Sequence, residues 1–202
     1  MSSVTVILPE RIDAGIVRLE VHGPDLAAQV ADAINESLDH LSPWMAWAQR
    51  TTTAQEQAMR LALAVEQARA GGDAVYSIVD PHAEDAIAGG CGLHRRRQDT
   101  SLDIGYWLHP ASTGRGVATA AAAALARVAF EVAGADVVRI TCDEANAASA
   151  AVPERLGFVH VATLEERSAE HAPNASDRTS VWEITAAAWP MSHGASLPVS
   201  YG

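Results

Sequence analysis

Two cysteines in 202 residues, Cys91 and Cys142, are too few for a disulfide framework, and each stands inside an apolar run of strand character. Two reduced thiols packed in a core is the simpler reading. Positive charge is also scarce: 14 Lys and Arg stand against 25 Asp and Glu, for a formal net charge of −11. A duplex-binding protein needs a basic face to displace counterions, so this balance speaks against nucleic acid as a partner. It suits cationic partners such as amines or basic peptides, and it serves solubility equally well. No uncharged apolar run reaches 18 residues, because Arg115, Arg127 and Glu131 bracket the apolar stretch 120–126 closely. No membrane span is expected. The opening MSSVTVILPERIDAG lacks a basic segment followed by a long apolar run, so a cytoplasmic protein is expected. No His/Cys/Asp spacing suggests a metal site.

What is present is an apolar chain of ordinary size. Hydrophobic residues make up 49% and charged residues 19%, enough for one sizeable core and far from a disordered composition. Alanine supplies much of that fraction, which points to close backbone packing rather than bulky side chains. Neither an internal repeat nor a dividing linker is visible, so residues 1–189 read as one domain. Residues 190–202, rich in Pro, Ser and Gly, read as a mobile tail.

Periodicity gives a coarse order of elements. A strand at 16–21 ends at Gly23-Pro24, and Asp25 is placed to cap a helix carrying Leu26, Val30, Ala33, Ile34 and Leu38. Pro43 breaks the chain among large apolar residues. Thr51 to Thr53 followed by Glu56 resembles a capping box, with a helix running to about Ala70. Strands follow at 74–79, 87–94 and 101–108, then an alanine-rich helix at 116–133 and a buried strand at 137–142. A helix at 146–156 precedes closing strands at 158–164 and 180–184. This is a mixed α/β sheet with helices on its faces.

The segment Asp103-Ile-Gly-Tyr-Trp-Leu-His-Pro-Ala-Ser-Thr-Gly-Arg-Gly-Val-Ala118 carries the chemistry: a strand, a glycine loop, then a helix. Glycines let backbone N–H groups approach an anion, and the positive end of the helix dipole favours phosphate there. No Gly-Lys-Ser/Thr closes the loop, so it is not a Walker loop, and the three-glycine dinucleotide pattern is absent too.

Thr113-Gly-Arg-Gly-Val-Ala118 resembles the acyl-CoA pyrophosphate loop of the GNAT acetyltransferases, usually Gln/Arg-x-x-Gly-x-Gly/Ala. Gly116 and Ala118 match its small positions, and Thr113 departs from the usual Gln or Arg. Ser37-Leu-Asp-His-Leu-Ser-Pro-Trp-Met-Ala-Trp47, Ile104-Gly-Tyr-Trp-Leu-His109 and Asn146-x-x-Ser149 with Leu156-Gly-Phe158 resemble the RimJ/RimL branch, whose members acetylate protein N-termini. These motifs span roughly residues 10–185 in the family's order.

The resemblance implies a centrally splayed sheet of six or seven strands and acetyl-CoA as acyl donor, with no metal. It also implies a peptide N-terminus as acceptor. A small cationic amine, or a non-catalytic acyl-CoA-binding module, stays open as an alternative, and so does a homodimer. It places the diphosphate on the backbone amides of Gly114, Arg115, Gly116, Val117 and Ala118, with Thr113 and Thr119 beside them in the cofactor site. The pantetheine arm falls between Trp107-Leu108 and Asn146. An amine attacking a thioester must lose a proton while the thiolate gains one, and the tetrahedral oxyanion needs a donor. A backbone N–H near Trp107 or Leu108 is placed for the last task. The tyrosine that many relatives carry just before Leu-Gly-Phe is missing from Ala150-Ala-Val-Pro-Glu154, which leaves Ser149 as acid, also able to bind the cofactor or merely cap the helix. Asp103 is the first candidate base, with Glu144, Glu165 and Glu166 as rivals. Trp44, Met45 and Trp47 form either an acceptor wall or core packing between the first two helices.

Overall fold

The computed structural model describes residues 6–95, 100–165, 172–173 and 175–201. Strands β1 (Arg11–Asp13) and β2 (Arg18–Glu20) open the chain, followed by helices α1 (Ala27–Glu36), α2 (Leu38–Leu41) and α3 (Ala54–Arg69). Then come β3 (Ala74–Asp80), β4 (Ala86–Arg95), β5 (Ser101–Leu108), helix α4 (Val117–Glu131) and β6 (Val137–Asp143). Helix α5 (Ala147–Leu156) and strands β7 (Val159–Glu165), β8 (Arg178–Thr185) and β9 (Ser200–Tyr201) complete it. The described strands form one mixed sheet in the order β7-β8-β6-β5-β4-β3-β2-β1-β9.

Nine strands rather than six or seven follow from two additions, β1 and β9. At three and two residues, they are too short to show a period of two, and they pair only with each other and β2 at the sheet edge. The reciprocal capping box of α3 is present: Glu56 N–H donates to Thr53 Oγ1 at 3.2 Å, and Thr53 N–H donates to Glu56 Oε2 at 2.9 Å. Asp25 does not cap α1. It lies in a 3-10 turn, Pro24–Leu26, that runs straight into the helix without a side-chain cap.

Alanine decides the packing of α4. Residues 121–126 are fully buried and join Leu93, Leu102, Ile104, Val138 and Ile140 in the main core, because methyl side chains let the helix lie close on the sheet. The opposite face is covered by α1 and α3, where Val30, Ala33 and Ile34 meet Val79 and Ile87. The long strands between these layers are therefore apolar on both faces.

The centre of the sheet opens. Strands β5 and β6 run parallel and pair from Ser101↔Val137 to Ile104↔Ile140, and no further. Past that point β5 stays bonded to β4 as far as Leu108↔Gly89, while β6 stays bonded to β8 as far as Asp143↔Thr179. The two half-sheets thus part between residues 105–108 and 141–143.

The segment expected as a mobile tail is docked instead. Arg127 donates from Nη2 to the carbonyls of Ala195 (2.6 Å) and Leu197 (3.2 Å), and Tyr201 OH donates to Glu131 at 2.7 Å. Trp189 is buried beside Phe130, and Gly194 packs under it. Pro, Ser and Gly here build two 3-10 turns, Trp189–Met191 and Gly194–Ser196, whose backbones need small residues near the indole. A Cβ on Gly194 would stand 2.7 Å from the Trp189 ring and 3.2 Å from Leu156 Cδ2. Gly194→Val should therefore lower stability by about 1–3 kcal/mol, the usual cost of overpacking. Thermal melting would show it, whereas a free tail would tolerate valine without any shift.

Candidate active site

A cavity of about 460 Å³ occupies the parting of the half-sheets. Its walls are the end of β5 (Tyr106, Trp107, Leu108), the glycine loop with the first turn of α4, and the first turns of α5. Helix α2 and the loop after it close it with His40, Leu41, Trp44 and Met45.

The glycine loop needs its glycines. Gly114 and Gly116 take φ of 71° and 80°, the left-handed region that a Cβ disfavours, and Gly116 is the N-cap of α4. The first N–H groups of α4, at Val117, Ala118 and Thr119, have no acceptor within the helix and carry the positive end of its dipole. Thr113 turns its hydroxyl back to Pro110 O at 2.8 Å. All these residues except Arg115 line the cavity. Arg115 is drawn away to buried Asp80 at 2.9 Å, which ties the loop to the end of β3. The Asp80 carboxyl is held below its ordinary range by the His82 N–H and by Arg115, against the opposing effect of burial.

Strand alternation selects the free backbone donor. His109 N–H is bonded to Ala88 O at 2.9 Å, and Gly90↔Trp107 is the next pair on the same side. The N–H groups of Tyr106 and Leu108 therefore point the other way, toward the gap that β6 has left. Of the two positions expected to supply an oxyanion donor, Leu108 has the open geometry.

Across the gap, Asn146 caps α5: its Oδ1 accepts the Ser149 N–H at 3.1 Å, leaving the amide NH₂ as the part able to donate to a ligand. Ser149 faces the cavity, and its Oγ lies 3.1 Å from the hydroxyl of Tyr106, which is also 3.1 Å from Ser149 O. Burial pushes the Tyr106 phenol well above its ordinary pKa, and its hydrogen bond to Ser149 only partly offsets this, so it stays protonated. The Cys142 thiol also reaches Ser149, and burial raises its pKa. No tyrosine stands in the residues just before Leu156-Gly157-Phe158. Tyr106, 43 residues before Ser149, is brought there by the fold.

The acceptor wall is divided. Trp44 and Met45 line the cavity, on a loop pinned to α1 by the Asn35–Thr52 pair of hydrogen bonds at 2.8 and 3.0 Å. Trp47 lies outside it. At 42% exposure it is not core packing; it sets its ring edge-on to Trp107, 6.3 Å between centroids, and lines a neighbouring groove on α3. The Trp107 ring in turn lies over Gly90, where a Cβ would come within 2.4 Å of Nε1.

No carboxylate lines the cavity among the described residues. Asp103 stands on the still-paired part of β5, opposite Arg139, whose Nη1 is 3.8 Å away. That is four residues, roughly 13 Å, before Trp107 along the strand. Glu144 pairs with Arg178 at 2.7 Å, Glu165 ends the exposed edge strand, and Glu166 lies outside the described residues. The imidazole in the cavity wall is His40, which stands inside the motif Ser37–Trp47 without any local signal to single it out.

The model of the acetyltransferase (GNAT) domain matches residues 18–159, well over half of the chain. The chain belongs to the GNAT acetyltransferase family. This acetyltransferase is 28% identical, over 137 residues, to YdaF of Bacillus subtilis (strain 168), a protein whose name describes a ribosomal N-acetyltransferase; the match covers 67% of this chain and 74% of that protein. Its fold is similar to Mycobacterium smegmatis RimJ in complex with CoA-disulfide, with a TM-score of 0.77, 25% identity, and 93% of this chain and 90% of RimJ covered. It is similar in fold to the ribosomal-protein-S5-alanine acetyltransferase from Vibrio fischeri, with a TM-score of 0.77 and 19% identity over 89% of this chain and 98% of that one. Among the described residues, no helix of this acetyltransferase is long and apolar enough to cross a membrane.

In a GNAT enzyme, the glycine loop is the part whose failure reads most directly. Gly116→Asp adds a side chain at a left-handed φ and a negative charge at the helix N-terminus, so CoA binding should vanish from calorimetry. Gly116→Ala, which adds only the backbone strain, should weaken binding less. Unchanged CoA affinity in a folded Gly116→Asp variant would remove the loop from the cofactor site.

Proposed function

We propose that this acetyltransferase moves the acetyl group of acetyl-CoA to the N-terminal α-amine of a protein. The single observation that carries this reading is the cavity, where the bare N-terminus of α4, a parted pair of strands and the Tyr106–Ser149 hydroxyl couple meet. The similarity to YdaF and RimJ supports a protein acceptor. In this reading the bare backbone of 114–119 holds the diphosphate. The pantetheine amides bond the open edge of β5 and the Asn146 amide. The N–H of Leu108 stabilises the oxyanion, and Ser149 protonates the departing sulfur.

The amine enters past Trp44 and Met45, next to His40. In this reading His40, which lines the cavity, takes the amine's proton, in the role first expected of Asp103. Loss of a positioned base costs about 10²–10⁴-fold in rate. His40→Gln should thus lower kcat/KM by roughly 10²-fold, and Asp103→Asn by no more than a few-fold. The opposite ranking would restore Asp103, acting through water.

A thiol-release assay across N-terminal peptides, aminoglycosides and polyamines, followed by mass spectrometry of the products, tests the acceptor. The expected product is a peptide acetylated on its α-amine. Faster turnover of a small cationic amine, which the net charge of −11 would favour, would replace the protein acceptor.

A further inference from the structure

Pro153 sits inside α5, four residues after Ser149. A proline has no N–H to donate and crowds the carbonyl four residues back, so Ser149 C=O lacks its helical partner. Tyr106 OH supplies one at 3.1 Å, while standing the same 3.1 Å from Ser149 Oγ. One phenolic hydrogen therefore faces two oxygens of a single residue. The carbonyl can only accept; the serine oxygen can accept or donate. With the phenolic hydrogen on the carbonyl, Tyr106 can receive the Ser149 hydrogen. With it turned to Oγ, the Ser149 hydrogen is released to the cavity. The Asn146 cap holds the Ser149 backbone meanwhile, so this exchange needs only rotation about two C–O bonds.

We infer that Tyr106 is a positioning residue that sets the Ser149 hydroxyl and turns its O–H from the carbonyl onto the serine oxygen as that oxygen gives up its proton. The inference rests on the proposed role of Ser149. In the balanced step, the C–N bond forms first and gives the tetrahedral oxyanion, whose collapse breaks the C–S bond as sulfur takes the Ser149 proton. The amine's lost proton returns to the serine oxygen through the base and water. Tyr106 keeps its own proton throughout. Its hydrogen bond is strongest when the serine oxygen is most negative, which is what a selective effect on turnover requires.

A plain anchor for α5 would use the same hydroxyl, and Pro153→Ala separates the two roles. That variant gives Ser149 C=O a helical N–H of its own, so the anchoring task disappears. With the amine that the wild type acetylates fastest, Tyr106→Phe should lower kcat roughly tenfold in both the wild-type and the Pro153→Ala background. CoA affinity by calorimetry should change less than about twofold in each. Tyr106→Phe/Ser149→Ala should be no slower than Ser149→Ala alone, since a group acting through Ser149 has nothing left to act on. A Tyr106→Phe loss that is silent in Pro153→Ala, or that multiplies with Ser149→Ala, would overturn the positioning role. Full activity in Ser149→Ala would instead remove the serine reading beneath it.

Discussion

Everything in the site depends on where two parallel strands stop pairing. Strands β5 and β6 share hydrogen bonds only to Ile104↔Ile140, and each then continues with its other neighbour. Leaving backbone donors without partners inside a protein is costly, so a sheet that opens at its centre needs something to occupy the edge. The opening leaves the Tyr106 and Leu108 N–H groups facing the gap. It also lets the Tyr106 side chain reach from β5 to the helix after β6. A one-residue slip of β5 against β4 would exchange which groups face the gap.

The remaining parts hold that opening in place. Helix α4 brings its N-terminus to the cavity because alanines allow it to lie flat on the sheet, and Asp80 fixes the preceding loop through Arg115. The docked C-terminal segment braces the far end of α4 and the end of α5 through Arg127 and Gly194. Asn146 fixes the first turn of α5, and Pro153 leaves the Ser149 carbonyl for Tyr106. Several of these are small residues or side chain-to-backbone bonds.

The parts written in local order were legible in the sequence. The glycine loop, the Thr53–Glu56 capping box, the Asn146 start of α5 and the long strands each depend on residues within one turn or one strand. Two kinds of feature escaped. Strands of two and three residues carry no period, and a Pro/Ser/Gly composition does not distinguish a loose tail from tight turns under Trp189. Two side chains of the cavity wall, His40 and Tyr106, were not legible for a different reason. Asp103 looked suitable by its place on β5, but it falls on the paired stretch beside Arg139, while His40 and Tyr106 enter the cavity from distant elements. Their meeting is set by the length of β5–β6 pairing, which no spacing in the chain records.

Residue-resolved amide hydrogen exchange with and without saturating CoA tests the parted-strand account most directly. The amides of Tyr106 and Leu108 should exchange readily in the free enzyme and become protected when CoA binds. That of Trp107, bonded within the β4–β5 ladder, should be protected in both states. Unaltered exchange at Tyr106 and Leu108 with CoA bound would contradict the account, because the ligand would then lie elsewhere.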